Sequence, residues 1–132
     1  MSDADFLRAF ESCALTRAEW THQAHVRMAW LYLSREPLDI ALPKIRDGIQ
    51  KLNQSHGNVI GYHETITAVY TRLILAGINA MPPQATFAEF CAAHPELLDR
   101  EARVFLRHYR KETIQSQRAR EEYVEPEIEP LP

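Results

Sequence analysis

Apolar residues recur at spacings of three and four along most of the chain, the period of helices that bury one face. Phe6, Leu7 and Phe10 give a short first helix its inner side, and Ser2 followed by Asp3 and Asp5 supplies a hydroxyl cap and acids in the first turn. A second helix runs to about Ser34, where Pro37 limits extension. It starts at Thr16, which has capping-box spacing to Glu19, or at Thr21, a competing cap. Leu38, Leu42, Ile45, Ile49 and Leu52 mark the cleanest amphipathic helix, which stops at His56-Gly57-Asn58, and Pro43 is tolerable only near its first turn.

A fourth helix is predicted from Tyr62 to about Ile78. Thr86-x-x-Glu89 then opens a short fifth helix that His94-Pro95 breaks. Leu98, Ala102, Phe105 and Tyr109 predict a continuous sixth helix ringed by Arg100, Arg103, Arg107 and Arg110, and Ser116 caps another turn or two to Tyr123. From Glu125 to Pro132 the alternation of glutamate and proline cannot be helical and reads as an extended strap or a loose tail. Sustained period-two alternation is absent. The expectation is an all-α, single-domain bundle of five to seven helices over residues 1–124, with an extended proline-containing tail over 125–132.

The 132 residues suit one domain, and 45% hydrophobic with 25% charged residues is an ordinary globular balance. A net charge of −3 argues against a nucleic-acid surface. Cys13 and Cys91 form no metal or disulfide motif and fit a reducing compartment. The start, MSDADF, lacks the basic and apolar pattern of a signal peptide, and no apolar run is long enough to span a bilayer. The cytoplasm is the default location.

Chemistry concentrates in two stretches. In THQAHVRMAWLYL, residues 21–33, His22 and His25 lie three apart on one helical face, roughly 5–6 Å between Cβ atoms. In YHETITAVY, residues 62–70, the predicted helix places Tyr62, His63, Thr67 and Tyr70 on or beside the apolar arc, with Glu64 on its flank. Packed together, the two faces would gather three imidazoles and two phenols.

His22-x-x-His25 leading into Ala29-Trp30-Leu31-Tyr32-Leu33, together with Tyr62-His63-Glu64-Thr65-x-Thr67, resembles a set of small bacterial helical proteins without an established activity. His94-Pro95-Glu96-Leu97-Leu98, Ala119-Arg120 and the terminal Leu131-Pro132 extend the likeness over nearly the whole chain. Pro126-Glu127 departs from a Pro-Asp pair in that set. The resemblance implies one helical domain with an ordered tail and brings no function.

Three readings follow. In the first, His22, His25 and His63 ligate a divalent transition metal, zinc or iron, leaving an open position for catalysis. Thr67 stands where a zincin motif needs its second histidine, which weakens this reading. In the second, His63, Glu64 and Tyr70 do acid–base work without metal in a small-molecule pocket lined by Trp30, Tyr32, Tyr62 and Thr67. In the third, these residues are structural: with Thr21 as cap, Trp20 and His25 form a hydrophobic staple. Residue by residue the structural reading is favoured; as a group, buried histidines call for a shared network or a pocket. The leading expectation is a His/Tyr pocket that binds, and in its fullest form converts, a small molecule. The alternative is a non-catalytic interaction or assembly module that uses the arginine-rich sixth helix and the acidic tail, with the tail packing on its own domain or across a homodimer.

Overall fold

The computed structural model describes residues 1–132, and its regular structure is all helix, with eight α-helices, two 3-10 turns and no strand. The contacts divide the chain into two compact units, Met1–Tyr62 and His63–Pro132.

The first unit holds α1 (Asp3–Glu11), α2 (His22–Arg35) and α3 (Leu38–Ser55), each packed on the other two. Ser2 caps α1 by accepting from the Asp5 amide. Thr21, not Thr16, caps α2 by accepting from the Ala24 amide, while Thr16 organises the preceding turn through a reciprocal bond with Glu19. Pro43 lies inside α3, past its first turn and beyond the place the sequence allowed it, at an exposed position. Gly57 ends α3 with φ +77°, the left-handed residue that closes a helix.

Phe10 is the hub of this unit. It is 1% exposed and packs edge-on to Tyr32 at 6.2 Å and tilted against Trp20 at 5.4 Å. Its ring can sit against α3 because residue 48 is glycine; a Cβ there would overlap the ring atoms Cε2 and Cζ.

The second unit holds α4 (Glu64–Asn79), α5 (Phe87–Ala93), α6 (Pro95–Leu98), α7 (Lys111–Gln115) and α8 (Gln117–Glu121). α4 is its spine, with α6, α8 and the 3-10 turn 104–107 packed along it. Thr86 and Glu89 form the expected capping box.

The predicted sixth helix is not continuous. Asp99 turns its carboxylate onto the Glu101 amide and starts a 3-10 turn over 100–102. Arg103 then takes a left-handed backbone, φ 44° and ψ 54°, and a second 3-10 turn follows over 104–107. In this broken path Phe105 and Tyr109 join a cluster with Val69 and Ile114.

The tail is a strap. Val124 and Leu131 pack on the Val69–Tyr109–Ile114 cluster. Buried Thr65 donates through Oγ1 to the Glu122 carbonyl at 2.9 Å and accepts from the Val124 amide at 3.2 Å. Tyr109 donates its hydroxyl to the Val124 carbonyl at 2.5 Å. The main-chain carbonyl of His108 accepts from the amides of Glu127 and Ile128, and its ring Nδ1 donates to the Glu129 carbonyl at 2.8 Å.

Two stability outcomes are expected in urea unfolding. Gly48→Ala should destabilise by about 1–3 kcal/mol, because overlap with the immobile Phe10 ring outweighs the roughly 1 kcal/mol helix-propensity gain. Thr65→Val, of equal shape, should cost about 1–3 kcal/mol by orphaning two peptide groups of the strap, and Thr65→Ser should recover most of it.

Candidate functional site

His22, His25, Trp30, Tyr32 and Tyr62 belong to the first unit; His63, Glu64, Thr67 and Tyr70 belong to the second. No group of three or more His, Cys, Asp or Glu side chains is arranged to hold a metal ion.

On α2, His22 is the first helical residue and His25 the fourth. The His25 ring stacks on Trp20 at 3.7 Å between centroids and donates from Nδ1 to the Thr21 carbonyl at 2.7 Å. Trp20 in turn donates from Nε1 to Asn53 Oδ1 at 3.2 Å. This is the staple geometry of the structural reading, with a ring pair in place of two aliphatics. Trp30 is half-buried on the same helix. Tyr32 is buried and donates to Glu11 Oε2 at 2.9 Å; burial first, then that bond and the neighbouring carboxylates, push its phenol well above the ordinary range.

His63 sits differently from the expectation. The fourth helix begins at Glu64, so Tyr62 and His63 precede it and His63 is its N-cap. Its Nδ1 accepts from the Ile66 amide at 3.1 Å, and its Nε2 lies 2.7 Å from the Ile114 carbonyl. A carbonyl only accepts, so Nε2 carries the proton and the ring is the neutral Nε2–H tautomer. Both nitrogens are thus committed to main chain, one at the start of α4 and one on α7. The one in-plane lone pair, on Nδ1, is taken by the Ile66 amide and so is not open to a metal, and a proton transfer through this ring would break one of the two bonds. Burial, and then the nearby Arg120 charge, lower its pKa from 6.5.

Glu64 follows as the first residue of α4, where its charge favours the helix start. Thr67 donates from Oγ1 back to the His63 carbonyl at 2.8 Å, so His63 and Thr67 are brought together, but as part of the cap. Tyr70 is half-buried, and burial, with Asp99 adding, raises its phenol above 10.0.

Two residues matter more than the pattern suggested. His108, which the sequence sets among arginines, is 5% exposed and grips the tail from ring and backbone together. Thr65 fixes the strap from the other side. The available signal was the tail itself: a segment barred from helix must find bonding partners for its peptide groups elsewhere.

Around His108 the surface carries exposed Arg103, Arg107 and Arg110, and beside them the exposed tail residues Glu125, Glu127, Ile128 and Glu129. Glu127 is held by Thr113 and by the Arg110 amide, which accounts for its lowered pKa. No ion pair engages the side chains of Arg103, Arg107, Glu125 or Glu129.

His63→Ala should cost about 2–4 kcal/mol, a lost cap plus an orphaned carbonyl, and His63→Asn, which keeps a capping acceptor, should cost less. Because the folded pKa of His63 is depressed, its contribution is intact above about pH 6.5 and is lost as pH falls through the folded value. Urea midpoints across that range should decline less steeply in His63→Asn than in the parent. No family model, no curated protein and no solved structure matches this chain, so the geometry stands without a relative to assign roles.

Proposed function

We propose that this protein is a non-catalytic interaction module that docks a protein partner through the arginine-bearing segment 100–110 and the acidic tail latched against it. The observation that carries this reading is the mixed-charge face itself. Residues 127–129 are bonded to His108, next to Arg107; Arg103, Arg107, Glu125 and Glu129 are exposed, and none of the four side chains has an ion-pair partner within the chain. Surface pairs are weak, but a face of fixed charges steers association and selects partners.

Two further points support it. The tail is held by main-chain bonds to His108, so its side chains are presented from an anchored backbone rather than a mobile one. The imidazole named as acid–base group and metal ligand, His63, is spent on capping and bridging.

A photo-reactive amino acid at position 107, compared with one at exposed position 35 on α2, tests the reading in living cells. The expected result is a defined protein adduct from position 107 alone, reduced about tenfold by an added Arg103→Glu change. No adduct, or the same adducts from both positions, overturns the reading. So does stoichiometric zinc or iron in protein purified without a histidine tag.

A further inference from the structure

Resting on that reading, we infer that the partner for the face formed by residues 100–110 and 125–129 is a second copy of this chain, joined about a two-fold axis.

The face carries both signs of charge side by side. The amides of Glu127 and Ile128 bond the carbonyl of His108, the residue next to Arg107, so the glutamate-bearing tail and the arginine-bearing segment are fixed side by side at these backbone positions. Arg103 and Arg107 on one side, and Glu125 and Glu129 on the other, still remain unpaired. Between Glu127 and Glu129 in sequence, Ile128 is 55% exposed and adds an apolar side chain.

A partner of one charge sign cannot satisfy this pattern. An acidic protein or a nucleic acid would neutralise the arginines and meet Glu125 and Glu129 with like charge, which is costly at close range. A basic partner fails in the opposite sense. In a two-fold interface the same patch meets itself, and residue i contacts residue j while j contacts i. Each arginine row then lies against the partner's glutamate row, both signs are neutralised in two equal sets, and the two Ile128 side chains come together near the axis.

Sedimentation equilibrium on the full chain is the test. The parent is expected to dimerise at low ionic strength and to dissociate as salt screens the exposed charges. Arg107→Glu alone and Glu129→Arg alone should each weaken self-association at least about tenfold, with helical circular dichroism unchanged. The decisive sample is an equimolar mixture of those two variants. One variant then presents carboxylates at both positions and the other guanidinium groups at both, so the mixture should form a heterodimer that neither forms alone.

A parent that stays monomeric at low salt, variants that dimerise like the parent, or a mixture that stays monomeric overturns the inference. If the parent is monomeric while position 107 still gives its adduct with a different protein, the second-copy inference fails and the interaction-module reading survives. If there is neither dimer nor adduct, both fail.

Discussion

Peptide groups that leave a helix must be bonded elsewhere, and residues 63–132 are shaped by that requirement. This half is cut into pieces of three to seven residues after α4, and each cut exposes amides and carbonyls that no regular helix satisfies. Side chains close the gaps. His63 serves one amide and one carbonyl, Thr65 one of each, and Tyr109 and His108 one carbonyl each. The same four residues join α4, α7, the arginine-bearing turns and the tail. Polar side chains thus do here what long helices usually do for themselves.

The first half solves its problem differently. Its three helices are nine to eighteen residues long and meet around aromatic rings, with Phe10 against Gly48 letting α1 approach α3 closely. Polar groups such as the Trp20–Asn53 bond act at the edge of that packing.

This contrast explains what could be read from the residues alone. Helices held by apolar periodicity were legible: α1, α3 and the capping box of α5 appear where the spacing and caps put them. The start of α4 was misplaced by two residues, because a histidine side chain can cap a helix and the helical wheel absorbed His63 into the apolar arc. The arginine segment kept helical spacing at Leu98, Ala102, Phe105 and Tyr109, yet Asp99 and the left-handed Arg103 broke it, a choice made by local side-chain bonding that hydrophobic period does not register. The imidazoles of His25 and His63 were found as special positions, and both are, but as a stacked staple and a capping bridge. The burial of His108 is not legible from its arginine-rich neighbours, because it depends on where the tail returns, a long-range contact.

The hold of His108 on the tail has a further implication. It engages peptide atoms of residues 127–129 and makes no demand on their side chains. Glu127 also ties its carboxylate to the Arg110 amide, but at positions 128 and 129 anchorage and display are separable: the amino acids shown outward there can be exchanged while the grip persists, so that one scaffold can be retuned to a new counterpart without first learning to fold again.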